Sequence, residues 1–113
     1  ITKELRRLIQ GASNNRLSSD DVSGGTITVS NFGAIGGKFG SPLLNLPEIA
    51  IIAIGRIQKL PRFSDDGTVH PASVMNVTFG ADHRVIDGAA VANFCNKWRL
   101  LIENPEHLLL HLR

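Results

Sequence analysis

Residues 47–61, PEIAIIAIGRIQKLP, form a long and nearly continuous β-branched run. A run of this composition suits a strand covered on both faces, and it commits the fold to a sheet. Gly55 interrupts it, and a glycine inside a strand marks a bulge or a close approach to the backbone. Further on, FSDDGTV contains Asp66-Gly67, a turn signal that joins this run to ASVMNVTFGA as a hairpin. Before the run, GTITVSN alternates, with Ile27 and Val29 on one side and Thr26, Thr28 and Ser30 on the other, as in a half-buried strand. The opening ITKELRRLIQGASNNRL spaces Ile1, Leu5, Leu8, Ile9 and Ala12 as one face of a helix that loses its pattern near Gly11 to Asn15. After the hairpin, GAAVANFCNKWRLLIEN carries the stripe Val91, Phe94, Trp98, Leu101 and Ile102, and Pro105 stops it or restarts it as the helical tail PEHLLLHLR. The order is helix, strand, paired long strands, then helices. It predicts an α+β fold, a layered mixed sheet with helices packed on one side.

The chain has 113 residues, enough for one modest domain with a single core. A hydrophobic share of 42% against 19% charged residues is globular rather than disordered. The net charge of +2 does not call for nucleic acid, and no apolar run approaches the length of about eighteen residues that a membrane span needs. Cys95 is the one cysteine, which excludes an internal disulfide framework and fits a reducing compartment. The first residue is Ile1 and no targeting pattern follows it, so the sequence reads as a piece of something longer.

Several residue clusters invite a chemical reading. The loop NFGAIGGKFG matches neither the dinucleotide nor the P-loop glycine pattern, because Gly37-Lys38 is followed by Phe39. Its glycines are better explained by a tight turn beside a ligand channel. Cys95 lies one position from an apolar helix stripe and reads as a buried small hydrophobe. His107 and His111 are four apart, yet neither a third ligand nor a metalloprotease glutamate accompanies them, so no metal site is expected. His70, before Pro71, reads as a surface residue.

GADHRVIDGAA, residues 80–90, is harder to dismiss. On one reading Asp87 is simply the N-cap of the helix that starts at Gly88 or Ala89, and His83 is a strand-end histidine paired with a carboxylate. On the other, a histidine at a strand end projects into a cleft, and its unperturbed pKa of about 6.5 suits it to take a proton from a thiol of pKa about 8.5. The two readings are compatible, and the residues alone leave both open.

The H-x-x-x-D-G pattern His83 to Gly88 resembles the signature of the coenzyme A-dependent acyltransferase superfamily, which includes chloramphenicol acetyltransferase. The longer ADHRVIDGA is similar to the dihydrolipoamide acyltransferases of the 2-oxo acid dehydrogenase complexes. GGTITVSNFGAIGG, GSPLLNLPEIAIIAIGRIQKLPRF and VMNVTFGADHRVIDGA, with a Trp98 helix and ENPEHLLLHL behind them, resemble the branched-chain forms. GGKFGSPLLNLPE is especially similar to plant mitochondrial ones. The resemblance runs almost the full length.

That resemblance implies a chloramphenicol acetyltransferase-like fold, of which residues 1–113 would be the carboxy-terminal half of the catalytic domain. It implies His83 as general base and Ser30 as the hydroxyl that donates to the oxyanion, with Asp87 orienting the site. Asp87 is not assigned as a second base, because some pyruvate-complex relatives carry asparagine there. Asp82 and Arg84 would belong to the surrounding charge network. Ser30, Asn31, Gly55 and Ile57 fall where the pantetheine arm of coenzyme A passes in the family. Coenzyme A is then a substrate, and the lipoate is carried on an upstream domain absent here. Self-association as trimers that build a larger symmetric core is implied, with Ser30 and His83 coming from different copies. The dehydrogenase and dihydrolipoamide dehydrogenase components would join through absent upstream domains. No nucleic acid or membrane partner is implied, and the location is the mitochondrial matrix, or the cytoplasm if the source is bacterial. The alternatives are a non-catalytic, oligomer-building core fragment whose apolar tail Leu108, Leu109, Leu110 and Leu112 caps a neighbour, or an acyltransferase of the pyruvate or 2-oxoglutarate complex. A chloramphenicol-type enzyme is disfavoured, since that group's motif has a second histidine where Asp82 stands.

Overall fold

The computed structural model describes residues 1–111. Helix α1 (Thr2–Ser13) leads through a 3₁₀ turn at Asp20–Val22 to strand β1 (Thr28–Asn31). A second 3₁₀ turn, Gly33–Ile35, opens the glycine loop that runs to β2 (Ala50–Phe63). β2 turns back as β3 (Val69–Ala81), and α2 (Gly88–Glu103) and a short α3 (Glu106–Leu109) complete the described chain. The sheet order is β1-β2-β3, with β1 parallel to β2 and β2 antiparallel to β3. This is the mixed α+β sheet that the element order predicts.

Local chemistry accounts for most boundaries. α1 ends where Asn15 takes a positive φ of 52°. The hairpin turns at Gly67, whose φ of 81° is in the region glycine favours, and Ser64 N–H donates to the Thr68 carbonyl at 2.8 Å. Near the tip Pro61 faces Pro71 in the ladder. Neither has an N–H to contribute, which fits a rung whose backbone groups point outward.

Register partners share a face. Val29, Ile52 and Phe79 stand on one side of the sheet, and Ser30, Ala53 and Thr78 on the other. α2 lies on the first side, where Phe79 meets Phe94 and Trp98 edge-on, both with ring centroids 5.6 Å apart. The glycine loop crosses the second side, bringing Pro42 against Gly80. Among the described residues the buried hydrophobic core is accordingly small: Ile51, Ile52 and Ala53, in the middle of the sheet where both layers overlap.

Two expectations need correction. The apolar face of β1 is not the covered one: Ile27 is 45% and Val29 60% exposed, while Thr28 and Ser30 are half-buried. One helix is about 10 Å wide and strands are about 4.8 Å apart, so α2 spans two strands and leaves the third bare. Coverage of β2 on both faces also stops early, because Ile57 onward is largely exposed. The accessible surface of 9164 Å² exceeds the roughly 6,000 Å² expected of a self-contained protein of this mass. Leu108, Leu109 and Leu110 are among the exposed apolar residues, and Leu112 lies outside the described residues.

Candidate active site

β3 ends at Ala81, opposite Ala50, and the next residue organises everything that follows. Asp82 N–H donates to the Ile49 carbonyl at 2.9 Å, continuing the ladder by one step. The Asp82 carbonyl accepts from Val85 and Ile86 N–H at 3.0 and 2.9 Å, which folds residues 82–86 into a tight turn. Its carboxylate accepts from the Arg84 backbone N–H at 3.0 Å and from the guanidinium, Nη2 to Oδ2 at 2.6 Å and Nε at 3.0 and 3.1 Å. The guanidinium beside it lowers the Asp82 carboxyl to about 2. The Asp82 side chain is 11% exposed and the Arg84 side chain 85%.

His83 sits between these two, exposed at the surface. Its Nε2 lies over the first turn of α2, 3.9 Å from where a Cβ on Gly88 would be. Asp87 caps that helix: its φ and ψ are extended, and its Oδ1 accepts from Ala90 N–H at 2.7 Å. The capping expectation holds. The expected pairing of His83 with a carboxylate does not, since Asp82 is engaged by Arg84 and Asp87 by its own helix. Among the described residues no side-chain hydrogen bond joins His83 to either aspartate. The imidazole is therefore accessible and its surroundings are tightly built.

Ser30 is on β1, half-buried, on the face opposite α2. Two residues earlier the Thr28 hydroxyl donates to the Glu48 carboxylate, and Gly25 leaves the space that Glu48 fills. This contact ties β1 to the entry of β2. Ser30 and His83 do not meet within the chain. Two strand spacings and three rungs separate Ser30 from the last rung of β3, roughly 14 Å between backbones.

Asn31, Gly55 and Ile57 do come together, with Ala34, Arg56 and Met75, along an open groove of about 340 Å³. A bulge builds it: between the Ile54–Val77 and Ile57–Met75 rungs, β2 spends Gly55 and Arg56 against Asn76 alone. The bulge frees Arg56 N–H to donate to the Gly37 carbonyl at 2.8 Å and turns Ile57 to the α2 side. A Cβ on Gly55 would lie 2.5 Å from the Lys38 carbonyl oxygen, and one on Gly33 at 2.5 Å from Gly55 itself. The chain's own loop thus makes the close approach that Gly55 permits. Ser30 points away from this groove.

The remaining candidates stay outside the site. Cys95 is half-buried beside Met75 and Trp98. His70 Nδ1 is 3.0 Å from Ser64 Oγ on the exposed hairpin. His107 and His111 gather no third ligand: among the described residues no group of three or more histidine, cysteine or acidic side chains could hold a metal. No described helix is long and apolar enough to cross a membrane. Sequence reasoning missed Glu48, whose partner lies twenty residues away and leaves no local signal.

Comparison with known proteins adds to this geometry. The profile of the 2-oxoacid dehydrogenases acyltransferase (catalytic domain) family matches residues 1–110. The mitochondrial lipoamide acyltransferase component of the branched-chain alpha-keto acid dehydrogenase complex of Arabidopsis thaliana is 66% identical over 113 residues, all of this chain and 23% of that protein. Two solved structures superpose with a TM-score of 0.87 over 95% of this chain and 44% of theirs. One, 30% identical, is the Azotobacter vinelandii dihydrolipoamide acetyltransferase, studied for the role of a serine, a histidine and, four residues on, an asparagine in its catalytic mechanism. The other, 31% identical, is the cubic core of the pyruvate dehydrogenase multienzyme complex. The chain spans less than half the length of each of these proteins.

Proposed function

The chain belongs to the 2-oxoacid dehydrogenase acyltransferase family, and on that premise we propose that it forms the carboxy-terminal half of a catalytic domain that moves a branched acyl group from dihydrolipoamide to coenzyme A. The observation that carries this reading is the exposed His83 ring, held over the start of α2 by a turn fastened at Asp82 and a helix capped by Asp87. An imidazole in that state removes the proton of the coenzyme A thiol. The thiolate attacks the thioester carbonyl, the carbonyl π electrons move to oxygen, and a tetrahedral oxyanion forms. Ser30 of another copy donates its hydroxyl to that oxyanion, an interaction stronger in the transition state than in the ground state. Collapse expels the dihydrolipoamide thiolate, which regains the proton from His83. Asp87 orients, and an asparagine could cap equally well. This agrees with the asparagine named for the Azotobacter vinelandii enzyme at the same spacing after a histidine. Coenzyme A would lie along the Asn31, Gly55 and Ile57 groove.

A branched acyl group is favoured over acetyl because identity is 66% to the branched-chain component and 30–40% to acetyltransferase components. The same relative supports a mitochondrial matrix location. A second role, in assembly, is favoured by the bare apolar residues Ile27, Val29 and Leu108–Leu110 and by the likeness to a cubic core. In that role trimers of this chain's parent build the core, and the dehydrogenase and dihydrolipoamide dehydrogenase components bind elsewhere on it. His83→Ala in the full-length protein separates the two: acyl transfer should fall by about 10²–10⁴ while assembly persists. A transfer rate near normal would remove His83 from the chemistry.

A further inference from the structure

We infer that Asp82, clamped by Arg84, is a positioning residue for His83, fixing the turn that aims the ring. The inference rests on the acyl-transfer reading above. Bonds converge on Asp82 from three directions: the Ile49 carbonyl anchors its N–H to the sheet, its carbonyl gathers Val85 and Ile86, and its carboxylate holds Arg84 at both backbone and guanidinium. His83 follows directly, and among the described residues its own ring makes no side-chain hydrogen bond to either flanking aspartate. Its direction is therefore inherited from the backbone on either side. Asp82 fixes that backbone at one end, and the Asp87 cap fixes it at the other, where Gly88 meets the ring.

The carboxylate is aimed at Arg84 and not at the imidazole, so Asp82 acts through the backbone and not as a relay for the proton. Charge supports the clamp without defining it: with its carboxyl lowered to about 2, Asp82 is ionised throughout the working range. Arg84, 85% exposed, contributes through Asp82. Asparagine at position 82 would keep an acceptor for the Arg84 N–H and lose the ion pair, whereas alanine loses both.

The test compares Asp82→Ala, Asp82→Asn and Arg84→Ala in the full-length protein, with His83→Ala as reference, by kcat, KM for coenzyme A, thermal midpoint and assembly state. Misplacing a reacting group by a fraction of its reach costs up to about 100-fold, so Asp82→Ala should lower kcat by roughly 10- to 100-fold. KM for coenzyme A should stay within about twofold, because ground-state binding is untouched. Asp82→Asn should recover much of the loss, and Arg84→Ala should fall between. A folded Asp82→Ala protein with kcat within about twofold of the parent overturns the inference. So does a folded Asp82→Asn protein as slow as the alanine variant. If Asp82→Ala does not assemble, the other two variants decide: a graded loss of kcat supports the inference, and parental rates in both overturn it. A slow His83→Ala with a parental Asp82→Ala removes only this inference. A parental His83→Ala removes the base assignment, and this inference with it.

Discussion

The two ends of the β2-β3 hairpin are one continuous pair of strands with opposite surroundings. At the root, Ile51, Ile52 and Ala53 are enclosed by α2 on one face and the glycine loop on the other. At the tip, Phe63 and Val69 are 79% and 59% exposed, although the backbone ladder there is regular. What separates them is the layers laid over the strands, and β-propensity plays no part in it. The proposed chemistry sits at the root end, where the last rung feeds straight into the His83 turn. Rigidity there has a use that the tip does not share.

Substitutions should expose that contrast in graded steps, measured by denaturant midpoint in the full-length protein. Ile52→Ala opens the enclosed root and should cost about 2–5 kcal/mol. A loss under 1 kcal/mol would mean that the root is not the core. Gly55→Ala forces a methyl against the Lys38 carbonyl where the loop crosses the bulge, an overpacking cost of about 1–3 kcal/mol. Unchanged stability would show that the loop lifts away easily. Asp87→Ala removes the α2 cap at about 1 kcal/mol, and Asp87→Asn should be close to neutral. Equal effects from both would point to charge and away from capping. Phe63→Ala at the tip should stay within about 0.5 kcal/mol, since that side chain is 79% exposed. A larger loss would mean that the tip is packed against another polypeptide in the intact protein.

Acid sharpens the comparison further. The carboxyl of Asp82 is lowered in the folded state, so its contribution to stability is complete above an ordinary unfolded value of about 3.9 and is lost as pH falls from there toward 2. Asp82→Asn should be less stable than the parent near neutrality and converge with it as pH falls through that window, which flattens the acid limb of the stability profile. The same slope in both proteins would show that the clamp is not formed.

Much of this was legible because it is local. Asp66-Gly67 announces its turn, Asp87 its cap and the β-branched run its sheet, each through chemistry within a few residues. What the residues concealed depends on partners far along the chain. Gly55 signals a close approach without saying that Lys38 makes it, and Thr28 gives no hint of Glu48. The alternation in GTITVSN places Val29 and Ser30 on opposite faces correctly, but coverage depends on how far α2 reaches, a width no periodicity encodes. At the site, Asp87 and His83 are readable from their motif. Their bonding is not, because competition between Arg84 and the ring for Asp82 is settled only in three dimensions.

The facing pair Pro61 and Pro71 has a consequence for the bare tip. A ribbon carrying exposed Phe63 and Val69 would ordinarily invite further strands to stack onto its sides and grow into fibrils. With no amide hydrogen to offer at that rung on either margin, the ribbon interrupts such templating where its oily side chains would most encourage it.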